Sequence, residues 1–535
     1  MPEKAFSVCI KDSVFIDPPY NTGNDFVYED DFADPMARYK EITQQTTKSN
    51  PETMGRFHTN WLNMMYPRLR LAANLLRDDG VIFISIDDNE VDNLKKLCNE
   101  VLGEENFVAQ LIWERAYSPK NDAKYISNSH DYVLMYAKNI ESFKIGRLPR
   151  TEEANARYQN PDNDPRGVWK PSDMSVKTYN AECDYPITTP SGRVIEPPTG
   201  RCWTFTKNAY LEKLQDNRIY FGADGNSVPC VKRFLTELKH DGMAPTSIMF
   251  YKDVGHSQEG AKEVTALLEA GVFNGPKPIR LLRRLLTLAN TDKDSIVLDF
   301  FSGSGTTAHA VMQLNAEDGG NRRFICVQLP ELCDEKSEAY KAGYYNICEI
   351  GKERIRRAGK EIMRKVTSGE GNLKGEGWGC GMPVTDSEWS SAIKNIIDVG
   401  FKVFKLDTSN LKTWDNTPIE NTQIDLFYER LNSMIDSVKD DRTDMDVVYE
   451  VMLKMGVPLD VPVTYMEINS KIVYVVGELL LLVCLADNIT AEDMEAMAEY
   501  APAKIICAES SFANDSALSN AHYILKDKQI ELKLV

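Results

Sequence analysis

The stretch "VFIDPPYNTGNDF" spans Val14–Phe26. Val14–Ile16 is an apolar, partly β-branched run, the composition of a short buried strand. An aspartate and two prolines follow. Proline lacks an N–H and fixes φ, so the ladder stops there and Asp17–Tyr20 forms a rigid turn at the strand's carboxyl end. Open α/β sheets keep their ligands at that end. The turn offers a carboxylate (Asp17), constrained carbonyls (Pro18, Pro19) and an aromatic ring (Tyr20).

Outward from this turn, apolar residues take helical spacing over Trp61–Leu76, and "VIFISIDD" (Val81–Asp88) reads as a fully buried strand. "NEVDNLKKLCNEVLG" is a further amphipathic helix; "FVAQLIW" and "DYVLMYAK" are further strands. This alternation predicts an α/β fold with a doubly wound, largely parallel sheet. From about 140 to 272, Pro, Gly, Asn and aromatics are frequent and helical periodicity is weak, which predicts an inserted domain. The α/β pattern resumes with the helix "KPIRLLRRLLTLAN", the strand "SIVLDFF", the helix "GTTAHAVMQLN" and the strand "RFICVQL". A glycine-rich break, Ser368–Pro383, precedes an α+β tail. The expected divisions are 1–139, 140–272, 273–367 and 384–535.

A chain of 535 residues exceeds one hydrophobic core, in keeping with several domains. Net charge is −18, but Gly381–Val535 holds 26 acidic and 13 basic residues, so −13 of it lies in the tail. Acidity there does not exclude nucleic acid elsewhere. The basic clusters at 280–284 and 352–365 read as solvated helix faces. The longest apolar run, Leu479–Ala486, is far shorter than the ~20 residues of a membrane span; with "KIVYVVGE" before it, it reads as a buried strand pair. Eleven cysteines without a C-x-x-C pair and six histidines without paired spacing predict the reduced thiols of a cytosol and no metal site.

A second motif, "VLDFFSGSGTTAHAV" (Val297–Val311), combines a strand, a Gly-x-Gly turn and a helix opened by Thr306 and Thr307. Glycines let a ligand approach the backbone, and a helix N-terminus attracts carboxylate or phosphate. A phosphate loop needs a lysine that is absent here. A dinucleotide fingerprint remains open, with Ala308 at its third position. S-adenosylmethionine is the other reading: its amino-acid end needs backbone N–H groups, with an acid such as Asp299 near its ammonium. A carboxylate–Pro–Pro–aromatic turn and a D-x-F-x-G-x-G loop on one sheet are what methylation of an exocyclic amine requires. The pairing favours S-adenosylmethionine.

With both motifs in view, the chain resembles the amino-group DNA methyltransferases in which DPPY precedes the glycine loop. Within them it resembles the modification subunits of type III restriction systems. "SPKNDAKYISNSHDYVLMYAK" (Ser118–Lys138), "FNGPKP" (Phe273–Pro278), "RFICVQLPE" (Arg323–Glu331) and the tail segments "DVVYEVMLKMGVPLD" and "SSFANDSALSNA" extend the likeness over nearly the whole chain. The resemblance implies a Rossmann-like methyltransferase fold of permuted order, in a bacterial cytosol. It also implies N6-methylation of adenine in double-stranded DNA. The catalytic residues implied are Asp17, Pro18, Pro19 and Tyr20. S-adenosyl-L-methionine would be held by Asp299, Phe301, Gly303, Ser304, Gly305, Thr306, Thr307 and Gln328. Gln328 stands where many relatives place an acid on the cofactor ribose, with Glu331 close behind.

The resemblance further implies target recognition by the 140–272 insertion, a homodimer, and a helicase/nuclease restriction subunit as partner of the tail. The family carries a longer segment before DPPY that helps close the pocket; sixteen residues precede Asp17 here. Lys277 and Pro278 are read as shaping the start of the helix that follows, with contact to a ligand left open. Pro229–Cys230 matches the nucleophile of C5-cytosine methylation, but it lies in the insertion and DPPY would then be redundant. Two alternatives stay open: N4-cytosine methylation, where serine more often replaces the first acid, and a remnant that binds DNA or a partner without catalysis.

Overall fold

Side chains alternate along a strand, so β1 (Ser13–Ile16) sends Val14 and Ile16 to one face of a sheet and Phe15 to the other; all three are buried. The computed structural model describes residues 13–22, 54–119, 121, 123–239, 242–368, 397–412 and 438–535. They fall into two units, one within 10–399 and one within 400–535.

After β1 the main elements of the first unit are α1 (Met54–Leu75), β2 (Val81–Ile86), α2 (Val91–Leu102), β3 (Phe107–Glu114) and β4 (His130–Ala137). An inserted body carries β5 (Trp169–Asp173), β6 (Ile219–Tyr220) and β7 (Cys230–Phe234). Then come β8 (Ile248–Met249), α3 (Ser257–Leu267), α4 (Ile279–Leu288), β9 (Ile296–Asp299), α5 (Thr306–Asp318), β10 (Arg323–Cys326) and α6 (Ile347–Ser368).

Seven strands form one sheet in the order β8-β3-β4-β2-β1-β9-β10. Val14 of β1 faces Ile82 of β2 on one side and Leu298 of β9 on the other, both in parallel. The two distant α/β stretches thus share one sheet. Every neighbouring pair is parallel except those made by β4, which is antiparallel to β2 and β3. The expectation of a largely parallel sheet therefore carries one reversed strand. The other six end on one common edge, and that edge receives Asp17.

Helices cover both faces. Trp61, Met65 and Leu69 of α1 and Leu94 and Cys98 of α2 pack on Val14, Ile16, Ile82 and Ile84. Leu281, Leu282 and Leu285 of α4 and Ala310 and Val311 of α5 pack on Phe15, Phe83, Met135 and Val297. α4 shows why: its leucines recur on one face, while Arg280 and Arg283 lie opposite and pair with Glu259 and Glu317.

The inserted body leaves and rejoins the unit at Leu148 and Met243, whose backbones exchange two hydrogen bonds of 3.0 and 2.7 Å. It has a small core of its own, built on Met174, Tyr185, Ile187, Trp203 and Phe221. This neck differs from the expected limits of 140 and 272, because β8 joins the main sheet beside β3 (Ile248 opposite Ile112). A two-residue strand has no periodicity to read.

The second unit contains α7 (Asp444–Lys454), β11 (Val463–Ile468), β12 (Lys471–Val476), β13 (Leu481–Cys484), α8 (Ala491–Ala498), β14 (Lys504–Cys507), α9 (Asp515–Asp527) and β15 (Glu531–Leu534). Its five strands run in sequence order, antiparallel up to β13 and parallel from there. The apolar run at 479–486 is the turn and second strand of the β12–β13 hairpin. Among the described residues, no helix is long and apolar enough to cross a membrane.

Candidate active site

The DPPY turn is fixed from three sides. Pro18 and Pro19 are buried, and the Pro19 carbonyl accepts a 2.7 Å hydrogen bond from Trp61 Nε1 on α1. Asn21, at φ +59°, donates from Nδ2 to Glu90 (2.6 Å). Glu90 is itself buried and also meets His58 Nδ1 (2.8 Å) and Asn93 Nδ2 (2.9 Å). The third tether is Lys277. Its ammonium donates to both oxygens of Asp17 (2.8 and 2.7 Å) and to the Tyr20 hydroxyl (2.9 Å), while Tyr20 donates to Asp17 Oδ1 (2.9 Å). Pro278 does open α4, but the residue before it reaches back to the carboxylate at the end of β1. At 8 % exposure, Lys277 is an ammonium whose buried charge Asp17 neutralises.

Protonation follows from this packing. Burial, reinforced by the Asp17 carboxylate, pushes Tyr20 well above the usual phenol range, so its hydroxyl stays a donor. Asp131, at the start of β4, is pushed up to about 6 by burial against the pull of Lys277 and Arg115.

The glycine loop is tied by the acid that precedes it. Asp299 ends β9 and is buried; Oδ1 accepts from Phe301 N (3.1 Å) and Oδ2 from Thr307 Oγ1 (2.5 Å). Burial pushes its carboxyl up to about 7, against both hydrogen bonds. Gly305 caps α5 at φ +77°, a conformation L side chains rarely adopt, and a Cβ there would stand 3.0 Å from Ile355. Gln328 Oε1 accepts from Gly303 N (2.8 Å), so this side chain shapes the loop itself.

A cavity of about 330 Å³ joins the two motifs. Asp17, Pro19 and Lys277 form one wall; Asp299, Phe301, Gly303, Ser304, Thr306 and Thr307 form the floor; Val327, Gln328, Leu329 and Glu331 close the far side. Pro18, Tyr20 and Gly305 are not among the residues that line the cavity, although each adjoins one that does. Sequence reading singled out Lys277 without finding its bond to Asp17, and missed Trp61, Glu90 and Arg354, of which the last is fully buried and bonded to the Ser304 and Thr306 hydroxyls. A signal existed for Arg354: it occupies the apolar stripe Ile347, Ile350, Gly351, Ile355, Ala358 of α6. Other cations of that cluster pair with acids on the same helix, as Arg357 does with Glu353 and Arg364 with Glu361. Cys230 lies in β7, outside the sheet that carries the cavity.

Comparison with known proteins agrees with this geometry. The sequence profile described as DNA methylase (N6_N4_Mtase) matches residues 12–360. The type III restriction-modification enzyme StyLTI Mod subunit of Salmonella typhimurium is 37% identical over 424 residues, 76% of this chain and 58% of that protein. The EcoPI Mod subunit of Escherichia phage P1 is 35% identical over 400 residues, 67% of this chain and 59% of that protein. The chain thus spans under two thirds of the length of these relatives. Among solved structures, M1.HpyAVI in complex with SAM aligns at 14% identity with a TM-score of 0.24, over 66% of this chain and 88% of that one, too loosely to carry an argument. The profile covers well over half of the 535 residues, every strand of the main sheet included, and on that ground the chain belongs to the DNA methylase family.

Proposed function

We propose that this protein transfers a methyl group from S-adenosylmethionine to N6 of adenine in duplex DNA, as the modification subunit of a type III restriction-modification system. The observation that carries this reading is the single cavity lined by Asp17 and Pro19 together with Gly303, Ser304 and Thr306. The donor set fits the cofactor: the N-terminus of α5 for a carboxylate, Asp299 for an ammonium, Gln328 and Glu331 for a ribose, Val327 and Leu329 for a flat apolar ring. When bound, the cofactor supplies a methyl on a sulfonium, already an excellent leaving group.

The protein's task is the amine. The N6 lone pair of adenine is delocalised into the ring and nucleophilically weak. Hydrogen bonds from N6–H to the Asp17 carboxylate and the Pro18 carbonyl favour a pyramidal nitrogen and the positive charge that develops on it. Asp17 already accepts three hydrogen bonds from Lys277 and Tyr20, two on Oδ1 and one on Oδ2, which leaves acceptor capacity on Oδ2 for the incoming amine. Trp61 and Glu90 hold the turn so that alignment is set before the base arrives. The target nitrogen lies inside a duplex, so the base is flipped out. Stacking on Tyr20 then contributes roughly 1–3 kcal/mol. The inserted body reads the flanking sequence, and the second unit serves self-association and docking of the restriction subunit.

Incubation with methyl-labelled S-adenosylmethionine and duplex DNA, followed by base analysis, tests the reading. N6-methyladenine is expected, with the rate reduced by at least about 10²–10³-fold in Asp17→Ala while the cofactor still binds. Aspartate as the first residue of the motif favours adenine over N4-cytosine, and label found only in cytosine overturns the adenine assignment.

A further inference from the structure

Arg354 of α6 is 0 % exposed. Its Nη1 donates to Ser304 Oγ (2.6 Å) and Thr306 Oγ1 (2.5 Å), the hydroxyls on either side of Gly305. Nε and Nη2 are buried with no hydrogen-bond partner among the described residues, and the guanidinium makes no ion pair within 4.0 Å there. Burial pulls it down only to about 10, the Glu263 carboxylate opposing, so it is a full cation at neutral pH. The neighbouring His309 is pushed down to about 3 by burial and by Arg354 itself, and stays neutral.

A buried guanidinium without a matching carboxylate is unfavourable for folding alone. This one lies where a positive charge adds to the field of a thirteen-residue helix N-terminus and of the loop N–H groups. Gly351, one turn earlier on α6, lets the helix close on the loop: a Cβ there would stand 3.0 Å from the Gly303 carbonyl oxygen.

We propose that Arg354 is a positioning residue for the cofactor's carboxylate: acting through the Ser304 and Thr306 hydroxyls, it makes the glycine loop select the anionic end of the amino-acid group. The inference rests on the S-adenosylmethionine reading of the cavity. It accounts for a charge that neither the methyl transfer nor the packing of α6 on α5 requires. Within the floor of the cavity, Asp299 then receives the ammonium and the Arg354-backed loop receives the carboxylate, so the zwitterion is bound in one orientation.

The test compares the full-length protein with Arg354→Met, measuring affinity by calorimetry for S-adenosylmethionine and for its decarboxylated analogue. The neutral variant is expected to lose on the order of tenfold for S-adenosylmethionine and nothing for the decarboxylated cation, which the native arginine repels. Arg354→Lys, which keeps the charge, is expected to hold the ratio of the two affinities within about twofold of wild type. Where the Met variant does not fold, Arg354→Gln is read in the same way. Equal loss for both ligands, or an unchanged ratio in the neutral variants, overturns the proposal. Failure of the wild type to bind S-adenosylmethionine sinks instead the reading on which it rests.

Discussion

Asp299 meets two opposed demands. Its oxygens hold the glycine loop through Phe301 N and Thr307 Oγ1, which favours the charged form, while burial favours the neutral one and prevails, leaving the carboxyl at about 7. A cationic ammonium binds the ionised form. The carboxyl is half-ionised at about 7, so S-adenosylmethionine affinity should fall as pH drops through about 7, approaching roughly tenfold per unit well below it, where one proton is exchanged. Calorimetry from pH 5 to 9 checks this, and Asp299→Asn should bind weakly with a flat profile. A second prediction concerns Trp61, the donor to the Pro19 carbonyl. Trp61→Phe keeps an aromatic ring but strands a buried acceptor, which costs about 1–3 kcal/mol. Melting temperature and methylation rate should both fall, while cofactor affinity moves little because Trp61 is no part of the cavity wall. At this scale the sequence declared residues whose type is unusual for their place, such as Asp17 before two prolines or Asp299 before a glycine turn. It concealed Glu90 and Trp61 and the partner of Lys277, because an ordinary lysine, glutamate or tryptophan gains its role only from a partner 32 to 260 residues away.

Among the elements, α6 does more than cover α5. Gly351 allows its backbone to approach the loop, and Ile355 fills the space beside Gly305. Gly351→Ala sets two effects against each other. Alanine favours the helix by about 1 kcal/mol, whereas a methyl 3.0 Å from the Gly303 oxygen forces helix or loop to move, a cost of about 1–3 kcal/mol. Thermal stability should therefore change little, and the strain should appear in the loop as a cofactor affinity lowered by about three- to tenfold. An unchanged affinity would show that the loop does not depend on this contact. Elements with strong patterns were legible beforehand: β1, β2 and β9 as apolar runs ending in Asp, α4 as a leucine face. β8 is not, since two residues at the edge of a sheet carry no period, although they pair with β3 of the main sheet. The reversed direction of β4 was equally silent, because a strand buried on both faces reads the same in either direction.

Across the whole molecule, each unit has its own core. In the second, Leu482 and Ile505 pack on one face of its sheet with Met494 and Leu525, and Val483 and Ile506 on the other with Val447 and Val451. Every residue lining the cavity belongs to the first unit. A chain ending at Val399 should therefore keep the cofactor binding and base labelling proposed for the cavity. Charge gives this prediction a second, quantitative edge. Residues 400–535 carry 23 acidic and 12 basic side chains, so their removal takes net charge from −18 to −7. Duplex DNA is a dense polyanion, and unlike the local salt bridges on α4 and α6 this excess of acid is unneutralised within its own unit. At low ionic strength, with a Debye length near 30 Å at about 0.01 M, the shortened chain should bind DNA several-fold more tightly than the full one. At about 0.15 M, where the length is near 8 Å, the difference should shrink to nearly nothing. Fluorescence anisotropy across a salt series measures both limits. Weaker binding by the shortened chain at every salt concentration would mean that the acidic unit contributes DNA contacts of its own, and loss of cofactor binding would mean that the cavity is not the property of the first unit alone.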